Sequence, residues 1–296
     1  MRGCGYARAR VLAGAAALLC AAGFAARAPA QGPASDAVPL SARQVLDDAF
    51  TKRYEVDLAS KIELIIRDRG GQDRRRVFRS VSKVIDGRVN SIGRLIWPEY
   101  VRGMTILTIE SQGRSHDTFV FLPALNNVRR VTTAQRGDSF LGSDVNYEDI
   151  ERRRVEEFEL DGLVSARVQG EPAYEIEGRP LKKFSYERVV FAIAESDGAI
   201  LETRYFKGSR EEPYRVISAP REDIVASDGH VIPTRLNIQN HVRGTSTQVV
   251  ISDLQINPPI NDRVFSVKTL QQERKLPGFD GRAAPPDASP VSAPGS

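Results

Sequence analysis

The feature that most constrains the fold is a succession of short apolar segments separated by glycine-containing turns. In the second half of the chain these turns are Asp161-Gly162, Glu177-Gly178, Asp197-Gly198 and Asp228-Gly229. Between them apolar and polar residues alternate, which is typical of half-buried strands, and such turns between strands indicate hairpins. We predict about ten or more strands joined by hairpins, without the helices that connect parallel strands.

A sheet of this size needs a cover for its apolar face. An extensive open apolar surface is unstable in water, so the sheet must curl or carry a helical cover. The sequence therefore predicts a mainly β fold, with one large curled antiparallel sheet and a few covering helices.

The first covering helix is expected near residue 41. Ser41 and Gln44 fit a capping box, and the helix should end before Val56. Its apolar residues follow at helical spacing: Val45, Leu46, Ala49 and Phe50. The helix either packs on the sheet as ordinary core or partly covers a ligand cavity.

A second helix is expected to begin after a cap at Asp144 and to fade near Phe158. Its alternating charges, around Glu151 to Arg154, predict a face turned to solvent. This helix should lie over the sheet.

The net charge gives no support to nucleic-acid binding. The formal charge is +4, but four of the 42 basic residues lie in the first thirty positions, which contain no acid. The rest of the chain has 38 basic and 38 acidic residues and is neutral. A basic patch on one face, which nucleic-acid binding requires, is therefore not indicated.

The N-terminus has the parts of a secretory signal. An alanine-rich apolar stretch at 11–24 follows basic residues, and Ala28-Pro29-Ala30 fits a cleavage site, so the mature chain should begin at Gln31. An uncleaved anchor helix is the alternative, but the stretch is shorter than the ~20 residues of a membrane span. Lipidation at Cys20 would put a leucine just before the cysteine, which departs from the usual lipobox.

These observations predict the domain organisation. Residues 1–30 are the signal peptide, 31–40 a linker, 41–276 a single domain and 277–296 a disordered tail rich in Pro, Ala and Ser. Both cysteines leave with the signal, so the domain has no disulfide and no thiolate site. Its stability must come from the core.

The stretch from Thr118 to Ile150 organises the chain. It contains two short strands and then a loop, Gly137 to Gly142, that places Phe140 and Leu141 between two glycines. An apolar pair in a loop is exposed unless something covers it. The loop is therefore either a movable flap or a turn whose apolar residues plug the core.

The same stretch carries a family resemblance. It contains LPAL, NN, VRRV and then GDSFLGSDVNYEDI, from Leu122 to Ile150. This run resembles the LolA-like family of periplasmic outer membrane lipoprotein-sorting proteins, and the similarity extends to about Leu270. The resemblance implies an incomplete barrel closed by helices that carries acyl chains through the periplasm. It transfers no individual binding residue to this chain.

The sequence makes no positive case for an enzyme. The three histidines, His116, His230 and His241, lack the spacing of metal ligands and are expected at the surface. Gly137-Asp138-Ser139 is similar to the GDS serine hydrolase motif, but it lies mid-chain and no Asp-x-x-His pair follows. We predict no catalytic residue, no metal site and no cofactor.

The principal functional hypothesis is a periplasmic carrier for the acyl chains of a lipid or lipoprotein. Delivery would run toward the outer membrane or an RND-type inner-membrane transporter. The alternatives are a lipid-sensing or transporter-accessory module, and, more remotely, a hydrolase. The candidate cavity and flap residues are Trp97, Met104, Phe119, Phe121, Phe140, Leu141 and Tyr147. The aromatic cluster around Trp97 has two interpretations. It belongs to the core or its rim, or it lines the mouth of the cavity.

Overall fold

The computed structural model describes residues 40–111 and 116–272. The predicted signal peptide, nearly all of the predicted linker and the predicted tail lie outside the described residues. The helices are α1 (Ala42–Tyr54), α2 (Tyr147–Ile150) and α3 (Val267–Leu270). The strands are β1 (Leu58–Arg67), β2 (Asp73–Ile85), β3 (Arg88–Trp97), β4 (Thr105–Glu110), β5 (His116–Leu122), β6 (Asn127–Arg130), β7 (Phe158–Val168), β8 (Glu171–Pro180), β9 (Arg188–Ala194), β10 (Ile200–Phe206), β11 (Arg215–Ser218), β12 (Ile224–Ser227), β13 (His230–Pro233), β14 (Arg235–Asn240) and β15 (Thr245–Ile256).

One antiparallel sheet dominates the fold, as predicted. Within the described residues it has 13 strands in the order β6-β5-β4-β3-β2-β1-β15-β14-β11-β10-β9-β8-β7. Its edge strands, β6 and β7, do not pair with each other, so the sheet is not closed. The strands β12 and β13 form a separate hairpin.

The sheet is strongly curled. In the sheet order, β4 and β9 are eight strand spacings apart, which in a flat sheet would separate them by roughly 38 Å. Ile106 of β4 and Phe191 of β9 nevertheless line the same cavity. The sheet therefore wraps around its inner face, in agreement with the predicted curled architecture.

The outer face of β2 to β5 is covered by the C-terminal segment. Ile260, Val264, Phe265 and Leu270 pack there in one hydrophobic cluster with Val81, Ile92, Leu107 and Phe121. The buried Arg94 guanidinium, at Nη2, donates hydrogen bonds to the backbone oxygens of Thr269 and Gln272. This segment thus completes the core on the side away from the cavity.

The helix α1 confirms the capping prediction. The Ser41 hydroxyl accepts a hydrogen bond from the backbone N–H of Gln44, and the Gln44 side chain accepts one from the backbone N–H of Ser41. One face of α1 packs in a cluster with the sheet through Leu46, Ala49 and Phe50, which are all buried. The helix ends at Tyr54, before Val56, as expected.

The second predicted helix, from Asp144 to near Phe158, is wrong in extent and in environment. The structure has only α2, capped by Asn146 and followed by Glu151 in an extended conformation with ψ 146°. Glu151, Arg152 and Arg153 are buried, not solvated. Because these charges pair with side chains of other elements, their alternation along the chain does not mark a solvent face.

Among the described residues, no helix combines the length and the apolar character needed to cross a membrane.

Candidate functional site

An apolar cavity of about 260 Å³ lies between the sheet and its cover. The inner face of the sheet supplies most of its wall, including Leu64, Phe78, Ile106, Phe191 and Ile238. The cover consists of α1 and the segment 140–153. Protein interiors are normally close-packed, so an unfilled apolar space of this size is a candidate ligand site.

Small residues in the central strands make room for the cavity. Ser80 of β2 pairs with Gly93 of β3, and Gly93 pairs in turn with Ile106 of β4. Ser91 also lines the cavity. A Cβ added at Gly93 would come within 3.5 Å of the Ile106 side chain, on the cavity side of the sheet. Larger apolar side chains at these positions would fill the space.

The predicted loop forms a tight hairpin of residues 139–146 over the cavity. Ser139 and Asn146 form an isolated β-bridge, and the Phe140 N–H donates to the Val145 oxygen at 2.7 Å. Leu141 and Gly142 occupy the turn with φ of 55° and 73°. Positive φ at both central positions is the geometry of a type I′ turn, which is unusual for leucine.

The hairpin inserts Phe140 into the apolar interior. The Phe140 ring lies 5.6 Å from the Phe78 ring and 5.5 Å from the Tyr147 ring, between centres. Phe140 is 5% exposed and lines the cavity. It is therefore a plug in the present conformation, and its removal from the interior would open the cavity.

Asp144 anchors this hairpin to β15. Its backbone N–H donates to the Thr247 hydroxyl at 2.9 Å. Its carboxylate accepts from the hydroxyls of Thr245 at 2.6 Å and Thr247 at 3.0 Å. Asp144 is thus a buried latch between the hairpin and the sheet, in place of the helix cap that the sequence predicted.

A charged group borders the apolar cavity. Arg53, Asp149 and Arg153 all line it. Asp149 accepts two hydrogen bonds from the buried Arg215, at 2.7 and 2.8 Å. The Arg153 guanidinium lies 4.5 Å from the centre of the Phe184 ring, a cation–π contact.

Beyond the cavity lies a second buried group, formed by His116 and Glu151. His116 Nδ1 is 3.7 Å from Glu151 Oε2, and both side chains are almost inaccessible. Burial, followed by the charges of Lys182 and Arg136, lowers the pKa of His116 to about 3. Burial also raises the pKa of Glu151, although its hydrogen bond from Arg136 acts the other way.

The expectation of surface histidines is therefore wrong for His116, whose side chain is buried beneath charged neighbours. His241 is exposed as predicted, and His230 is half-buried. Within the described residues, no group of three or more His, Cys, Asp or Glu side chains is arranged to hold a metal ion.

Four of the seven candidate residues lie around the hairpin. Phe140 lines the cavity, and Met104, Leu141 and Tyr147 pack in the same hydrophobic cluster. Phe119 and Phe121 point to the other face of the sheet and pack with the C-terminal segment, because neighbouring residues of β5 alternate between faces. Trp97 is 39% exposed at the end of β3 and is not part of the cavity lining.

Sequence reasoning missed several residues of the lining. Phe50, Arg53 and Tyr54 of α1 reach the cavity, which favours the interpretation of α1 as a partial cover. The capping box and helical spacing located α1, but could not identify which sheet residues it faces. Arg153 was missed because its neighbours in sequence are charged, a pattern that normally indicates a solvated face.

The fold is that of the LolA-like lipoprotein-sorting proteins. A structure from Vibrio parahaemolyticus, described as an outer membrane lipoprotein-sorting protein domain, matches with a TM-score of 0.72 and 19% identity, over 77% of this chain and 97% of that one. A DUF1329 family protein from Desulfovibrio piger matches with a TM-score of 0.71 and 24% identity, over 77% and 97%. A LolA superfamily protein from Nitrosomonas europaea matches with a TM-score of 0.63 and 18% identity, over 78% and 99%.

A family model described as "Uncharacterized protein" matches residues 87–272. The match spans more than half of the chain, so the chain belongs to this family. No curated protein matches the chain.

Proposed function

We propose that this protein is a periplasmic carrier that binds an acyl chain of a lipid or lipoprotein in the apolar cavity. The observation that carries the proposal is the unfilled apolar space beneath the 139–146 hairpin. Each methylene group left in water costs roughly 0.8 kcal/mol, so a chain that crosses an aqueous compartment needs such a cover.

The size of the cavity favours a single chain in the closed conformation. Its volume of about 260 Å³ lies just below the range of about 300–1,000 Å³ that is usual for ligand pockets. A longer or second chain requires the hairpin to move. In this proposal the hairpin acts as a movable flap, and it opens when the hydrogen bonds of Asp144 with Thr245 and Thr247 break.

The N-terminal signal and the LolA-like fold support a periplasmic location. In this proposal the signal is cleaved after Ala30, and delivery runs to an outer-membrane acceptor or to an RND-type inner-membrane transporter. The protein acts as a binding protein and not as an enzyme.

The alternative is a sensing or transporter-accessory module that uses the same cavity for recognition. The observation that favours this alternative is that Asp149 and Arg153, which belong to the segment 140–153, line the cavity, so that a ligand there contacts this segment directly. The two functions differ in one respect: a carrier releases its ligand to an acceptor membrane, whereas a sensor binds a protein partner when ligand is present.

The test begins with the mature protein, residues 31–296, purified from periplasm without detergent. Mass spectrometry of the extracted lipids should detect an acyl species in stoichiometric amount. The loaded protein is then mixed with acceptor vesicles of phosphatidylethanolamine and phosphatidylglycerol. Transfer of the ligand supports the carrier, and retention without transfer supports the sensor. A protein that is empty, and that takes up nothing from donor vesicles, contradicts both.

A further inference from the structure

Two buried polar groups next to the cavity lack a hydrogen-bond partner within the described residues. They are Nη2 of Arg153 and the hydroxyl of Tyr186. The two residues are 5% and 3% exposed, and the Arg153 guanidinium lies 5.7 Å from the centre of the Tyr186 ring. Buried polar groups are nearly always hydrogen-bonded, so these two donors are available to an acceptor that is not part of the protein.

The nearby carboxylates do not supply that acceptor. Asp149 is 3.7 Å from Arg153, but it already accepts two hydrogen bonds from Arg215 and one from the Asn146 N–H. Glu148 accepts hydrogen bonds from the backbone and hydroxyl of Ser185 instead. Arg153 therefore lies near Asp149 without a hydrogen bond to it, because Asp149 is already hydrogen-bonded to Arg215.

The charged residues that line the cavity leave room for a bound anion. Arginine stays protonated at any physiological pH, and Nη2 of Arg153 has no hydrogen bond despite its ion pair with Asp149 at 3.7 Å. The cavity lining contains two arginines, Arg53 and Arg153, against the single acid Asp149. Burial raises the pKa of Tyr186 and that of Tyr205, whose side chain lines the cavity, so both hydroxyls remain protonated and can donate.

Aromatic contacts help to fix the position of Arg153, in addition to its ion pair with Asp149 at 3.7 Å. Its guanidinium is held over the Phe184 ring at 4.5 Å, and it borders a cavity that is otherwise mainly apolar. An apolar pocket with a few convergent polar groups at one place is the arrangement that orients an amphiphile. A carboxylate or phosphate oxygen accepts charge-assisted hydrogen bonds from a guanidinium, whereas a neutral head group does not.

We infer that the cavity selects an amphiphile with an anionic end, a carboxylate or a phosphate, which binds Arg153 while the acyl chain fills the apolar space. This inference rests on the proposed function, because it specifies the ligand class of the same cavity. The shared chemistry is an oxyanion attached to an acyl or alkyl chain.

The test compares three probes of equal chain length: palmitate, hexadecyl phosphate and hexadecanol. Dissociation constants are measured by calorimetry for the wild type and for Arg153→Gln. The wild type should bind at least one of the two anions about tenfold or more tightly than hexadecanol, and Arg153→Gln should lose most of this preference. The preferred anion identifies the source, a fatty acid or a phosphorylated lipid. Arg179→Gln removes an exposed positive charge elsewhere and should leave all three constants unchanged.

The outcomes separate this inference from the proposed function. If the wild type binds hexadecanol as tightly as both anions, the anion inference fails and acyl binding stands. If none of the three probes binds, both fail. Arg153→Lys is the second variant, since it retains the charge if Arg153→Gln does not fold; it should keep a preference for an anion over hexadecanol, and equal binding of all three would overturn the inference.

Discussion

Single residues that the fold removes from water carry much of the pH dependence of this protein. His116 is the first residue of β5 and stands beside Asp117 in the sequence, a polar context that does not indicate burial. Its neighbours in space, Glu151, Arg136 and Lys182, come from distant parts of the chain. Such an environment depends on tertiary contacts and could not be predicted from local spacing.

His116 predicts a loss of stability on acidification. The unfolded histidine takes up a proton near pH 6.5, whereas the folded one does so only near a pKa of about 3. The unfolded state therefore binds more protons between these values, and the free energy of unfolding falls as the pH falls below about 6.5. Relative to His116→Asn, the wild type should lose about 2 kcal/mol between pH 6.5 and pH 5.

Urea unfolding of both proteins at several pH values measures this difference. The raised pKa of Glu151 acts in the opposite direction but is present in both proteins, so the comparison isolates His116. Parallel pH profiles for the two proteins would show that His116 is accessible to protons in the folded state.

Among the elements, α1 and the strands of the sheet could be predicted from the sequence. The conformation of the segment after Asp144, which covers the cavity, could not. The alternation of apolar residues and the capping box of α1 are local signals, and both agree with the structure. The segment after Asp144 has helical composition, but tertiary hydrogen bonds from Thr245 and Thr247 and the ion pair with Arg215 determine its path. The elements that cover the cavity are thus defined by long-range polar contacts.

The latch between the hairpin and β15 gives a prediction for Thr247→Val. This change keeps the shape of the side chain but removes both hydrogen bonds between the Thr247 hydroxyl and Asp144. Because buried polar groups then lose their partners, we expect a loss of about 1–3 kcal/mol in stability. The amide of Phe140, which is protected by the Val145 oxygen at 2.7 Å, should exchange with solvent faster.

Hydrogen exchange resolved at the hairpin measures this effect. Thr108→Val is a suitable control, because Thr108 is a buried threonine of β4 whose hydroxyl contacts only Thr118, at 3.4 Å, among the described hydrogen bonds. Equal protection of the Phe140 amide in Thr247→Val and in Thr108→Val would mean that Asp144 does not latch the hairpin.

For the molecule as a whole, the class of fold followed from the sequence, but the concave face did not. The sequence indicates the number of strands and their hairpin connections through the alternation of apolar and polar residues and the turns between them. A sheet of that many strands must curl. Which face becomes concave depends on where small residues such as Ser80 and Gly93 oppose the cover, and on where the C-terminal segment packs. The sequence therefore identifies Phe119 and Phe121 as apolar strand residues, but it does not show that they face the C-terminal segment and not the cavity.

A substitution on the outer face of the sheet should lower the stability of the protein without affecting ligand binding on the cavity face. Leu270 is 1% exposed on the outer face, and Leu270→Ala should lower the free energy of unfolding by about 2–5 kcal/mol, because it leaves a space in the core. Acyl binding should be retained in the folded fraction. Urea unfolding and palmitate binding, measured on the same preparation, test both statements; a stable Leu270→Ala protein that no longer binds palmitate would contradict the assignment of the faces.

The most direct test of the central claim is to fill the cavity and measure palmitate uptake. Ser80→Leu places a larger apolar side chain into the cavity lining, whereas Ser165→Leu makes the same change at an exposed position of β7. With radiolabelled palmitate at saturation, the wild type and Ser165→Leu should each bind about one chain per protein, and Ser80→Leu less than about a tenth of that. If folded Ser80→Leu binds as much palmitate as the wild type, the acyl chain does not occupy this cavity.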